Sequence, residues 1–289
     1  MNMTPFKKLL LPVMLLIATT AGAQSTLGLN AQKAYDITPA DFGLVFDTIR
    51  IATDDGASLF GWHLYPGEKN DKSSKKSVII SHDGNGNMAN ALEQAGKFLG
   101  LGFHVFMYDY RGFGKSSDFT VSPKFYIYQQ FATDLTGVIE YVKKYHALLS
   151  IDLYGFGIGG GLSLGVGANN LKVHRVIADN PYTTFETVQT RYEAKTGSRI
   201  MMPIGYNVTL LEPKMALEDK GDHLRGILLI IGEQGSIMNN NDMLELQALK
   251  KKVTNIYVVK GVDNDKNFSS NRDEYFKQIK AFYEKFPAQ

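Results

Sequence analysis

The glycine-rich run at residues 155–160 (GFGIGG) has the spacing that most suggests chemistry. It follows an apolar, strand-like run and precedes small and apolar residues suited to a packed helix, so it predicts a strand, a sharp turn and a helix. In one interpretation it is the G-x-S-x-G turn that presents a nucleophilic serine, with Gly157 in place of the serine. In the other, Gly155, Gly157 and Gly160 form G-x-G-x-x-G, and Asp179 after the next strand binds a dinucleotide ribose. The flanking chain must decide between the two.

The elements around this run predict an α/β fold. Two alternating apolar runs separated by Asp-Asp-Gly predict an antiparallel hairpin. Short apolar runs then alternate with helical patterns, which predicts a mostly parallel eight-stranded sheet with helices on both faces. Residues 182–221 are predicted to form a short cap insertion. The predicted strands cover residues 42–51, 59–65, 78–80, 103–108, 149–154, 176–178, 227–231 and 256–259.

Two further turns follow strands of this predicted sheet. Residues 82–87 (HDGNGN) come after the third strand, and residues 109–116 (DYRGFGKS) come after the fourth. Together with the later glycine turn, this order resembles the α/β-hydrolase superfamily, in particular its serine aminopeptidase and lysophospholipase-like branch. A dinucleotide domain would place its glycines after its first strand, so the hydrolase interpretation is favoured.

The resemblance implies a serine, an acid and a histidine at three strand ends. The matching positions hold other residues: Gly157 at the nucleophile, Gly235 within GEQGSI at the acid, and Asn264 within GVDN at the histidine. Glycine has no side chain, and an asparagine amide cannot accept and return a proton near neutral pH. The sequence therefore predicts that none of the three chemical roles is filled.

The backbone donors of such a site do not depend on these side chains. The amide of Ile158, at the start of a helix, and one from the loop around Gly84 are expected to form an oxyanion-hole-like binding site. A pocket there would bind a small molecule through its carboxylate, phosphate or carbonyl group without cleaving it. Asp179 is expected to act as a cap or to form a hydrogen bond within a turn. The residues expected to line the pocket are His82, Asn85, Asp179 and Ser236.

Three functional hypotheses follow. The leading one is a catalytically degenerate α/β-hydrolase homologue that acts by binding a ligand or a protein partner. The second is an active serine hydrolase of esterase, lipase or peptidase type, whose rearranged triad uses Ser236 or Ser163. The third is a structural scaffold whose pocket is incidental.

The N-terminal residues predict export. Two lysines precede an apolar run at residues 9–17 and an A-x-A pattern at residues 21–23, which is typical of a cleaved signal peptide. The apolar run is too short to span a bilayer. Residues 1–23 are therefore expected to be removed, leaving a domain over residues 24–289, without a transmembrane span, in the periplasm or outside the cell.

The composition of the chain excludes further classes of function. A chain of 289 residues with 44% hydrophobic and 21% charged residues suits one sizeable domain. The absence of cysteine excludes disulfides, thiol catalysis and cysteine-bound metals. The formal charge of +2 falls to near zero without the signal, so no nucleic-acid partner is expected. No His, Asp or Glu cluster has metal-ligand spacing, so neither a metal nor a cofactor is expected.

Overall fold

The computed structural model describes residues 27–69, 73–147 and 149–287. The predicted signal peptide, residues 1–23, lies outside the described residues. The strands are β1 (Asn30–Ala31), β2 (Phe46–Ala52), β3 (Ser58–Leu64), β4 (Lys76–Ser81), β5 (Asn85–Gly86), β6 (His104–Tyr108), β7 (Ser150–Phe156), β8 (Val173–Asp179), β9 (Gly226–Gly232) and β10 (Thr254–Val259). The helices are α1 (Leu92–Gly100), α2 (Gln130–Tyr145), α3 (Ile158–Asn169), α4 (Phe185–Thr196), α5 (Val208–Leu211), α6 (Pro213–Asp219), α7 (Asn240–Leu249), α8 (Asn267–Ser270) and α9 (Arg272–Lys285).

Eight of the strands form one sheet, in the order β10-β9-β8-β7-β4-β6-β3-β2. The β2–β3 hairpin and the β3–β6 pair are antiparallel, and every other neighbouring pair is parallel. This confirms the predicted mostly parallel eight-stranded sheet. Because the parallel strands end at one edge, the turns after β4, β6, β7, β8, β9 and β10 meet there, which brings distant parts of the sequence together.

Strand alternation divides the core into two layers. In β9, Leu228 and Ile230 face the layer that contains α1 and α9, whereas Leu229 and Ile231 face the layer that contains α2, α3 and α7. Residues at alternate positions of a strand point to opposite faces, so a strand buried on both faces is apolar throughout. The unbroken apolar runs in the sequence therefore correspond to central strands.

The remaining elements were only partly predicted. β1 pairs with β5 in a small parallel sheet that ties the N-terminal segment to the loop after β4. The segment between β8 and β9 contains α4, α5 and α6. Of these, α5 and α6 pack against α3 and extend the helical layer, so only part of the expected cap covers the strand ends. Among the described residues, no helix combines the length and the apolar character needed to cross a bilayer.

Candidate functional site

The turn between β7 and α3 has the backbone of a nucleophile elbow and no side chain at its apex. Gly157 adopts φ 57° and ψ −125°, a region that strains residues with a Cβ. Its amide donates to the carbonyl oxygen of Asp179 at 3.0 Å. A Cβ on Gly159 would lie 2.2 Å from the carbonyl oxygen of Ser81, so α3 approaches β4 too closely for a larger residue. The glycines are therefore required for steric reasons, and Gly157 also leaves the elbow without a nucleophilic side chain.

Asp83 lies directly beside this apex. A Cβ built on Gly157 would be 2.9 Å from the Cβ of Asp83, closer than two such atoms can approach. The carboxylate accepts a hydrogen bond from the Asn85 amide at 3.0 Å, and burial raises the pKa of the Asp83 carboxyl to about 6. The sequence interpretation had not assigned Asp83 a role. The only available signal was its position in the loop that follows β4.

The positions matched to the acid and the histidine are adjacent in space. A Cβ on Gly235 would lie 2.5 Å from Nδ2 of Asn264. The Asn264 side chain instead joins the end of β9 to the loop that follows it: its Oδ1 accepts from the Gly232 amide at 2.7 Å, and its Nδ2 donates to the Met238 carbonyl at 2.9 Å. Both ends of the amide are therefore engaged by backbone groups, which is a structural role.

His82 and Gly84 differ from expectation. His82 is buried behind the loop after β4 and packs against the rings of Tyr110 and Phe113, and burial lowers its pKa to about 3. The Gly84 amide donates to His82 Nδ1 at 3.2 Å. It is therefore directed away from a ligand oxygen, and the expected pair of oxyanion donors is reduced to the amide of Ile158, which has no acceptor within its own helix.

A cavity of about 810 Å³ lies above the elbow. Of the residues singled out from the sequence, Asn85, Gly157, Ile158, Asp179, Ser236 and Asn264 line it. His82, Gly84 and Gly235 are absent from the lining, and none of the chain's six histidines lies there, all six being within the described residues. The cavity therefore has no imidazole that could act as a base on a bound ligand.

Asp179 holds a buried side-chain network at one side of the cavity. Its Oδ1 accepts from Asn267 Nδ2 at 2.6 Å, and its Oδ2 accepts from the Tyr275 hydroxyl at 2.8 Å. The Tyr275 hydroxyl also lies 3.1 Å from that of Tyr154. Burial raises the pKa of the Asp179 carboxyl to about 7. The expectation of a capping or turn role is wrong, because the partners are side chains from α8 and α9.

The two alternative serines are placed very differently. Ser163 is fully buried, lies outside the cavity lining, and its Oγ has no hydrogen-bond partner among the described residues. Ser236 is exposed at the cavity and accepts a hydrogen bond from Lys195 Nζ at 2.5 Å. Only Ser236 can therefore meet a ligand in this cavity.

The cavity offers no arrangement of ligands for a metal. Within residues 27–69, 73–147 and 149–287, no group of three or more His, Asp or Glu side chains is arranged to bind a metal ion.

The sheet order, the elbow and the strand-end cavity together define an α/β-hydrolase. The sequence pattern of the family described as "Serine aminopeptidase, S33" matches residues 72–222, just over half of the chain. The protein therefore belongs to the serine aminopeptidase S33 family.

Parts of the chain are also similar to curated relatives. The chain is 29% identical over 154 residues to protein bem46 of Schizosaccharomyces pombe, a match that covers 52% of this chain and 48% of bem46. It is 24% identical over 242 residues to the uncharacterized protein YqkD of Bacillus subtilis, covering 78% of this chain and 75% of YqkD. The match thus spans about half the length of bem46 and three quarters of YqkD.

Solved structures agree on the fold. The esterase Pf2001 of Pyrococcus furiosus superposes with a TM-score of 0.68 at 17% identity, covering 90% of this chain and 97% of the esterase. XC6422 of Xanthomonas campestris, described as an α/β serine hydrolase without a lid, gives a TM-score of 0.59 at 16% identity, covering 84% and 96% of the two chains. At such identities the likeness concerns the fold alone.

Proposed function

We propose that this protein is a non-catalytic member of the S33 family that binds a small molecule in the cavity above β7 and β8. The observation that carries the proposal is the contact between Asp83 and the elbow. The Cβ of Asp83 lies where a serine at residue 157 would need room for its own Cβ, and the cavity lining contains no histidine. Without a nucleophile and a base, the acyl-transfer chemistry of related esterases has no route at this position.

A serine-directed fluorophosphonate probe tests the proposal. We expect no labelling of the purified protein and no saturable hydrolysis of short acyl esters, aminoacyl arylamides or lysophospholipids. An active serine hydrolase assayed in parallel provides the positive control. Stoichiometric labelling of any serine that lines the cavity would contradict the proposal.

A second candidate rests on the pair formed by Ser236 and Lys195. An amine can serve as the general base for a serine, as in Ser-Lys hydrolases, and here Lys195 Nζ lies 2.5 Å from Ser236 Oγ at the cavity wall. This pair supports an esterase with a relocated nucleophile. In that case the probe labels Ser236, and both labelling and turnover are lost in Ser236→Ala and Lys195→Met but persist in the matched buried variant Ser163→Ala.

We also propose that the protein is exported and cleaved after residue 23. The support is the order of basic, apolar and small residues at the N-terminus. Mass spectrometry of protein recovered from the periplasm or medium of an expressing bacterium should give a chain that begins at Gln24. A chain that retains its first 23 residues in the membrane fraction would contradict this.

A further inference from the structure

Two residues that line the cavity have a side-chain acceptor without a hydrogen-bond partner among the described residues. Gln94 is only 8% exposed and lines the cavity, yet its Oε1 has no hydrogen-bond partner among the described residues. Asn180, the residue after β8, also lines the cavity with an unpartnered, buried Oδ1. A buried acceptor without a donor is costly, so the site favours a ligand that brings N–H groups.

The charges in the cavity have one predominant sign. Asp83, Asp179, Asp263 and Asp265 line it, whereas Lys195, whose ammonium group donates to Ser236, is the one cationic side chain that the described residues contribute to the lining. An anionic ligand would meet like charge in a confined site, and a cation would meet opposite charge.

The partial charge at the start of α3, the helix that follows the elbow, does not reverse this preference for a cation. The N-terminus of α3 carries partial positive charge, which ordinarily attracts an anion. Asp83 lies beside Gly157, the N-cap residue of α3, so the protein already places an acidic residue at that end of the helix. The carboxylates therefore decide the charge that the cavity prefers, and they favour a cation over the anion expected from the sequence.

Two acidic residues flank the elbow. The Cβ of Asp83 contacts the position that a Gly157 side chain would occupy, and the backbone carbonyl of Asp179 accepts a hydrogen bond from the Gly157 amide at 3.0 Å. Burial raises the pKa of both carboxyls, to about 6 for Asp83 and about 7 for Asp179. A bound cation would favour their ionised forms and form charge-assisted hydrogen bonds with them.

Aromatic and aliphatic side chains form much of the remaining wall, beside polar residues such as Asn85, Asn90 and Ser198. The apolar part suits a ligand with a hydrophobic body, and aromatic rings also attract a cationic head group. The aromatic and aliphatic residues that line the cavity are Leu27, Tyr126, Tyr154, Phe156, Ile158, Tyr192, Ile237 and Phe268.

We propose that the cavity binds a primary ammonium compound with an aromatic or aliphatic body, its ammonium group lying near Asp179, Gln94 and Asp83. This inference rests on the ligand-binding role proposed above and names the chemical class of that ligand. The apolar body lies against the aromatic wall, toward the part of α4 that covers the cavity.

Three probes of matched shape test the ligand class: 2-phenylethylamine, 2-phenylethanol and 3-phenylpropionate. Calorimetry and ligand-observed NMR with the purified chain at neutral pH should show the amine binding at least about tenfold more tightly than the alcohol, with the carboxylate weakest. Binding of the carboxylate as tight as that of the amine would overturn the inference, as would the absence of amine binding at millimolar concentration.

Isosteric variants locate the site. Asp83→Asn and Asp179→Asn should each weaken amine binding about tenfold while leaving alcohol binding nearly unchanged. The matched control is Asp118→Asn, whose carboxylate is fully exposed and lies outside the cavity lining, so binding should change less than twofold. Thermal unfolding of each variant establishes that it is folded. Amine binding that persists unchanged in both Asp83→Asn and Asp179→Asn would refute the site.

The outcomes separate this inference from the proposed function. Amine binding together with fluorophosphonate labelling would uphold the ligand class and overturn the non-catalytic role. Preference for the carboxylate without labelling would uphold the non-catalytic role and overturn the ligand class.

Discussion

Two turns at the same edge of the sheet differ in whether the polar groups around them are hydrogen-bonded within the protein. In the turn after β6, Arg111 donates to both Asp134 and Asp55 at 2.7–2.9 Å. In the turn after β7, Gly157 presents no side chain, and in the cavity beside it Gln94 Oε1, which comes from α1, has no hydrogen-bond partner among the described residues. The first turn closes its hydrogen bonds within the protein, and the second leaves them open to the cavity.

The turn after β6 also ties the β2–β3 hairpin to the rest of the sheet. Ser116 Oγ accepts from the Phe60 amide at 2.8 Å and donates to the Asp109 carbonyl at 2.7 Å. Asp109 in turn accepts from the Met88 amide and from the Tyr35 hydroxyl. Polar groups engaged on all sides support the fold in the turn after β6, whereas the unpaired acceptors beside the cavity support the ligand site that we propose.

The largest effect on stability is expected from removing the arginine in the turn after β6. Arg111→Ala leaves Asp134, which is fully buried, without its cationic partner. We expect the free energy of unfolding to fall by about 3 kcal/mol, measured by urea denaturation. The control is Lys214→Ala, which removes an exposed ion pair with Glu245 and should leave the urea midpoint unchanged. Equal effects of the two variants would remove the distinction between the turns.

Restoring a serine at the elbow should harm stability without adding chemistry. Gly157→Ser introduces a Cβ at positive φ and against Asp83, which should cost about 2 kcal/mol of unfolding free energy. We expect no fluorophosphonate labelling, because no histidine lines the cavity.

The double variant Gly157→Ser/Asp83→Gly sharpens this test. It relieves the steric contact and should recover part of the lost stability, while the backbone strain remains. Gain of hydrolysis in either variant would show that a base reaches the elbow.

A buried histidine should make stability depend on pH. His63 packs against His104 and His146, and burial together with these two rings lowers its pKa to about 3. The unfolded chain takes up the proton near pH 6.5, whereas the folded protein does not, so the stabilisation is lost as pH falls.

Between pH 6.5 and 5.5 this difference should cost about 1 kcal/mol. The unfolding free energy of the wild type minus that of His63→Gln, measured by urea titration at each pH, should fall by this amount. A difference that does not change with pH would contradict the assignment.

The smallest effect is expected at Ser163. Its buried Oγ has no partner among the described residues, so Ser163→Ala removes a hydroxyl that gains nothing from burial. The unfolding free energy should change by less than about 0.5 kcal/mol. A fall of several kcal/mol in the unfolding free energy would show that the hydroxyl is hydrogen-bonded. The contrast with the turn after β6 would then be smaller.

The fold was largely predictable from the sequence, and the site only in part. Uninterrupted apolar runs such as residues 227–231 predicted central strands, because a strand buried on both faces must be apolar at every position. The glycines after β7 predicted the elbow. The burial of His82 and the engagement of the Gly84 amide were not predictable, since neither follows from the periodicity of a strand or helix.

The sequence by itself determined which side chains are present at the three matched positions, since Gly157 and Gly235 carry none and Asn264 carries an amide. It also determined the order of strands and helices, through apolar periodicity and glycine spacing. Only the tertiary structure placed Asp83 against the elbow, paired Lys195 with Ser236, and left Gln94 Oε1 without a partner among the described residues. These features bring together residues from distant helices and strand-end loops, and their geometry depends on how those elements pack, which a local sequence pattern does not encode.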